Sequence, residues 1–161
     1  MAYGYISVGS NIDRQKYIRA SLVALRHCFG QLVISSIYDA ESVGFLGNSF
    51  YNCVVGFNTD LDVKDVAKQL RQIEMNNGRV RGCKKFSART LDLDLLLYDN
   101  LIINEVGLQI PRNEIEKYAF VLEPLAEIAP TLKHPISQIS YAALWEKFDK
   151  TSVKQQRINF L

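Results

Sequence analysis

The chain has 161 residues, 48% of them apolar, and a formal net charge of +2 at pH 7. That length and apolar content suit one domain, 1–161, with its own buried core, and so weak an overall charge excludes a global field for nucleic acid or an anionic membrane surface. No apolar run approaches the roughly 20 residues that span a bilayer. The opening Met1-Ala2-Tyr3-Gly4-Tyr5 lacks the pattern of a secretory leader, and Cys28, Cys53 and Cys83 form no CxxC pair, so a reducing cytoplasm is expected.

Tyr3 to Val8 alternates and ends at Gly9-Ser10-Asn11, which predicts a strand running into a turn. Ile18, Leu22, Leu25 and Phe29 follow at helical spacing, with Gly30 as the stop. Leu32 to Tyr38 is rich in β-branched residues and reads as a second strand, and Tyr51 to Phe57 reads as a third. Asp62 is placed to cap a helix that carries Val63, Val66, Leu70 and Ile73 on one face, and Gly78 ends it. A basic loop leads to a fourth strand, Leu91 to Tyr98. The remainder predicts short helices near Glu114–Ile128 and Tyr141–Phe148, then a ragged tail. Cys28 and Cys53 fall in apolar segments as core filler, Cys83 in a polar loop, and His27 and His134 have no catalytic pairing. The order strand, helix, strand, strand, helix, strand is the ferredoxin-like split βαβ arrangement. It is an α+β fold, an antiparallel sheet with helices on one face and the other left for a ligand.

Chemistry concentrates in Arg89-Thr90-Leu91-Asp92-Leu93-Asp94-Leu95-Leu96-Leu97-Tyr98. Alternation puts Leu91, Leu93, Leu95 and Leu97 in one stripe against the helices, and Asp92 and Asp94 together on the other face, their α-carbons about 6.5–7 Å apart. Two carboxylates so close repel one another unless a cation intervenes. Mg²⁺ suits them, because it takes one or two carboxylates and completes its octahedron with water and phosphate oxygens. A solvated sheet face, or ion pairs to nearby arginines, is the plainer explanation of a lone DxD.

The loop before it favours the metal reading, although a solvated basic loop is common on its own. Between Glu74 and Asp92 there is no acidic residue, but there are Arg79, Arg81, Lys84, Lys85 and Arg89. A carboxylate pair flanked by arginines fits phosphoryl-type transfer, in which metal bridges phosphate oxygens and guanidinium groups follow the developing charge. Gly82 suits a loop that closes as a lid. No GxxxxGK[ST] is present: Gly4 and Gly9 have its glycine spacing but Ser10-Asn11 follows, which excludes a P-loop kinase. Phe50 and Asn52 share a face of the third strand, and with Phe120 they could hold a flat heterocycle, aromatics stacking and the amide pairing to its edge.

Gly78-Arg79-Val80-Arg81 followed by Arg89-Thr90-Leu91-Asp92-Leu93-Asp94 resembles the signature of the 6-hydroxymethyl-7,8-dihydropterin pyrophosphokinase family. The resemblance extends to Tyr5–Asn11, to Phe50-Tyr51-Asn52 and to the block Phe120–Pro130, in the family's order. It implies a ferredoxin-like fold and a Mg-dependent transferase of folate biosynthesis that moves pyrophosphate from ATP to the pterin hydroxymethyl group and releases AMP. It further implies two Mg²⁺ ions on Asp92 and Asp94, with Arg79 and Arg89 stabilising charge around the β-phosphorus and the leaving AMP. The pterin would lie between Phe50 and Phe120, paired to Asn52, with help from the backbone near Val43. Glu74, Arg81, Leu95 and Arg112 would border the nucleotide. The protein is expected to be a cytoplasmic monomer with no nucleic-acid or membrane partner.

This sequence departs from the family at Phe86-Ser87-Ala88, where Trp-Gly-Pro is usual, and at Arg112, where His is usual. Those changes leave room for a diverged paralogue that binds pterin or nucleotide with little turnover. A ferredoxin-like RNA-binding module ranks last, because its open face would need exposed aromatics where Asp92 and Asp94 stand.

Overall fold

Alternating strands and helices with one apolar stripe must bury those surfaces against each other. In the computed structural model, which describes residues 1–41, 47–78 and 90–161, they do so on both faces of one sheet. Strand β1 (Ala2–Ser10) leads into helix α1 (Arg14–Phe29), which buries Ile18, Leu22 and Leu25 and stops at Gly30, φ 78°. The second strand is split into β2 (Leu32–Ile34) and β3 (Ile37–Ala40), and both lie against β4 (Phe50–Thr59). Helix α2 (Val63–Asn76) is capped as expected: the Asp62 carboxylate accepts the Asp65 N–H at 2.9 Å. β5 (Asp92–Tyr98) lies along the far side of β1.

After β5 come a hairpin, β6 (Ile103–Glu105) and β7 (Leu108–Ile110), then α3 (Glu114–Lys117), α4 (Ala119–Ile128), α5 (Tyr141–Lys147) and β8 (Gln155–Ile158). The sheet order is β5-β1-β4-β3-β8, antiparallel throughout. Without β8 this is the ferredoxin-like order, so the expected fold class stands.

Four details differ from the sequence reading. The tail expected to be ragged is β8, whose polar residues hid its period. The helix expected over Glu114–Ile128 breaks at Tyr118 (φ −121°, ψ 126°), whose ring stacks on Phe120 at 5.1 Å. The second strand is interrupted at Ser35-Ser36 because Glu127 on α4 competes for it: the carboxylate accepts the Ser36 N–H, the Ser36 hydroxyl and the Tyr38 hydroxyl at 2.7–3.1 Å.

The fourth detail is a β-bulge. Tyr5 pairs with Leu97 but Ile6 pairs with Leu95, so Leu96 is an extra residue. The stripe expected at Leu91, Leu93, Leu95 and Leu97 therefore ends at Leu95. Leu91, Leu93 and Leu95 pack with α1 and α2, whereas Leu96 and Leu97 both join the second cluster, with Val54 and with Val121, Leu122 and Leu125 of α4. Tyr98 turns to the first cluster and donates its hydroxyl to Leu61 O at 2.7 Å. Two leucines on the face expected to stay open require a cover, and α3 to α5 supply it over that half.

Cys53 is buried in the first cluster, where desolvation pushes its thiol up to about 12, and the partly buried Cys28 packs against the same cluster. Among the described residues no helix is long and apolar enough to cross a membrane.

Candidate active site

Three strands set one row of residues across the sheet. Asp92 on β5 lies opposite Gly9 on β1, and Gly9 lies opposite Asn52 on β4. Directly paired residues point to the same face, so Asp92 and Asn52 share a surface at two strand spacings, about 10 Å. The next row is Asp94, Ser7 and Val54. Both β1 positions are small. A Cβ at Gly9 would meet Asn52 Oδ1 at 2.9 Å and Phe50 Cδ1 at 3.7 Å, so the bare backbone is what lets the Asn52 amide lie flat there. Sequence reasoning passed over Gly9 as the end of a strand. A glycine inside alternating β-branched residues is the signal that could have found it.

Asn52 is only 4% exposed, yet its Nδ2 has no hydrogen-bond partner among the described residues. A buried amide donor left unpaired costs about 1–3 kcal/mol, a cost that a ligand acceptor at this position would remove. Phe50 is two residues away on the same face, and Phe120 of α4 lies at the margin of the cluster that covers it. The three residues expected around a flat ring come from two elements, β4 and α4, to one side of the sheet.

At the other end of the row, Asp92 and Asp94 are both half-buried. The bulge brings a cation to them. Arg112 donates its backbone N–H to Leu96 O at 3.1 Å, which anchors it beside β5. Its guanidinium is forked onto Glu114 (3.0 and 3.1 Å) and stands 3.7 Å from Asp94 Oδ1. Burial works against the charge on Arg112, but Asp94, Glu114 and Asp92 outweigh it and hold the group protonated beyond an ordinary arginine.

Glu74 is not the exposed helix-end glutamate that its position suggests. It is 6% exposed, and its Oε2 accepts the Leu93 N–H at 2.8 Å. Leu93 stands between the two aspartates, and this N–H is on the edge of β5 away from β1. Leu95, expected at the nucleotide, turns its side chain, 6% exposed, into the core with α1 and α2, opposite to Asp92 and Asp94.

Val43, Arg79, Arg81, Arg89, Cys83 and Phe86 lie outside the described residues, as does the basic loop expected to act as a lid. Its two roots are described and meet: Thr90 Oγ1 donates to Asn77 O at 2.7 Å, next to Gly78 at φ 89°.

The donor set suits Mg²⁺ carried in with phosphate. Among the described residues no group of three or more His, Cys, Asp or Glu side chains gathers to hold a metal. Two carboxylates would fill only part of an octahedron, and the remaining positions suit water and phosphate oxygens.

Fold and site together define an α+β domain of ferredoxin-like topology with an acidic end and an amide-and-aromatic end on one sheet face. The family model for 7,8-dihydro-6-hydroxymethylpterin-pyrophosphokinase (HPPK) matches residues 5–130, and the chain belongs to that family. A 2-amino-4-hydroxy-6-hydroxymethyldihydropteridine pyrophosphokinase of Haemophilus influenzae is 36% identical over 86% of this chain and 89% of its own length. The folic acid synthesis protein fol1 of Pneumocystis carinii is 33% identical over 93% of this chain, which spans 20% of that longer protein. In shape the chain is similar to wild-type Plasmodium falciparum HPPK-DHPS, with a TM-score of 0.72 at 13% identity, over 91% of this chain and 44% of the other.

Proposed function

We propose that this chain transfers pyrophosphate from ATP to 6-hydroxymethyl-7,8-dihydropterin in folate synthesis. The hydroxymethyl oxygen bonds to the β-phosphorus, the bond from that phosphorus to the α-phosphate oxygen breaks, AMP leaves, and the hydroxyl proton is lost. One observation carries the reading: the buried, unpaired Asn52 amide lies in the same row and on the same face as Asp92. A pterin paired to Asn52 has its length along the sheet to bring its hydroxymethyl arm to the carboxylate end.

Asp92 and Asp94 would hold two Mg²⁺ ions, which neutralise phosphate oxygens and orient the attacking oxygen when bound. Glu74 fixes the strand segment between these carboxylates. Arg112 balances their charge and can turn its guanidinium to phosphate, although it cannot donate and accept as a neutral imidazole does. Phe50 and Phe120 hold the ring by its faces. Arg79, Arg89 and Arg81, chain neighbours of the loop roots, serve the triphosphate, and the backbone near Val43 serves the pterin. The chain works as a cytoplasmic monomer in this reading.

Purified protein incubated with ATP, Mg²⁺ and hydroxymethyldihydropterin should release AMP only when all three are present. Asp94→Ala should lower turnover by at least about a thousandfold, the scale of losing a metal-mediated phosphate clamp, with its melting temperature within a few degrees of the parent. AMP release unchanged in that variant would sink the metal assignment. Absence of AMP from the parent, with pterin binding intact, would identify the non-catalytic paralogue.

A further inference from the structure

The C-terminal strand lies beyond the residues that the family model matches, and its register ties it to the pterin end of the site. Gln155 on β8 pairs with Ala40 on β3, which pairs with Phe50; Arg157 pairs with Tyr38, which pairs with Asn52. β8 thus adds two residues to the rows that contain the proposed ring-stacking and edge-pairing groups. Gln155 also leaves the sheet. Its Nε2 donates to Ala119 O at 3.2 Å and to Glu123 Oε1 at 2.8 Å, both on α4. Ala119 immediately precedes Phe120. Arg157 reinforces the same crossing at 4.0 Å from Glu123.

We infer that Gln155 is a positioning residue for the pterin, setting the distance between the sheet wall that carries Phe50 and Asn52 and the helix wall that carries Phe120. Stacking on both faces of a ring needs the two walls held at one separation, and a displacement of an ångström at such a site is costly. Only Gln155 among the residues of β8 holds α4 by its main chain, at the residue next to Phe120. Its amide supplies the donor that both acceptors need. A carboxylate in its place would face a carbonyl and a second carboxylate.

The inference rests on the pterin reading of this face, and the experiment separates the two. In Gln155→Glu the KM for hydroxymethyldihydropterin should rise about tenfold, the order expected for misplaced substrate walls, while kcat and the KM for ATP stay within about twofold. Glu123→Gln alone should be close to the parent, because Gln155 can still donate to the new amide oxygen. Combined with Gln155→Glu it should recover part of the lost pterin affinity, since the amide at 123 now donates to the carboxylate at 155 while Ala119 O still lacks its donor. Lys154→Ala, which cuts only the exposed 3.7 Å pair to Glu41, is the control for loosening the tail and should change none of these constants. If Gln155→Glu does not fold, Gln155→Met keeps the length without the donor and should show the same split. A pterin KM unchanged in a folded variant, a rise shared equally with ATP, or no rescue by Glu123→Gln would each overturn the positioning role. A parent protein that neither releases AMP nor binds hydroxymethylpterin beside a non-hydrolysable ATP analogue would instead overturn the reading of the site.

Discussion

Gly9 stands between Asp92 and Asn52 in one row of the sheet, and its missing side chain is its contribution. Any Cβ there would press on Asn52 Oδ1 at 2.9 Å, and an amide is easier to turn aside than a strand. Gly9→Ala should therefore fold and bind ATP normally but raise the KM for pterin about tenfold, the worth of one displaced hydrogen bond of about 1.4 kcal/mol. Steady-state kinetics with each substrate varied would check it, and equal losses for both substrates would count against it. Asp92 and Asp94 were legible at this scale because their spacing is local. Arg112 was legible only as a departure from the family, since its ion pair with Asp94 depends on a contact across 18 positions of sequence.

At the scale of elements, the site depends on how β5 is held at its outer edge. An edge strand leaves every second N–H without a sheet partner. Glu74 of α2 captures the one at Leu93, between the aspartates, so the helix that buries Leu70 and Ile73 also fixes the segment that carries Asp92 and Asp94. Glu74→Ala leaves that amide buried and unpaired and should cost about 1–3 kcal/mol of stability. Chemical denaturation would measure it. A loss of turnover larger than the loss of folded protein is expected, because the segment that frays carries Asp92 and Asp94. The Leu96 bulge acts on the same strand: it ends the helix-facing stripe and offers the carbonyl that anchors Arg112.

Over the whole molecule, two hydrophobic clusters hold one sheet, and the second is pinned by polar contacts among its loops. His134 is 3% exposed; its Nε2 stands 3.3 Å from Glu116, and its Nδ1 accepts the Ile136 N–H at 3.1 Å. Burial lowers its pKa, and the opposing pull of Glu116 does not restore it. A histidine with a lowered folded value contributes stability that is complete above its unfolded value of about 6.5 and is lost as pH falls through the folded value. The melting temperature should therefore drop between pH 7 and pH 5, and His134→Asn should flatten that part of the profile. An unchanged slope would show that the titration lies elsewhere.

The sequence by itself determined the four strand segments of the split βαβ core, the two long helices, their order and the carboxylate pair, because each is written in a local period of two or 3.6 residues. The family's blocks also raised the expectation that Phe50, Asn52 and Phe120 act together. Tertiary structure decided the rest: the bulge that redirects Leu97, the helical cover over half of the second face, the burial of Glu74 and the conversion of a polar tail into β8. These depend on which residues meet across tens of positions, on strand register and on competition for backbone hydrogen bonds. No local pattern encodes such partners.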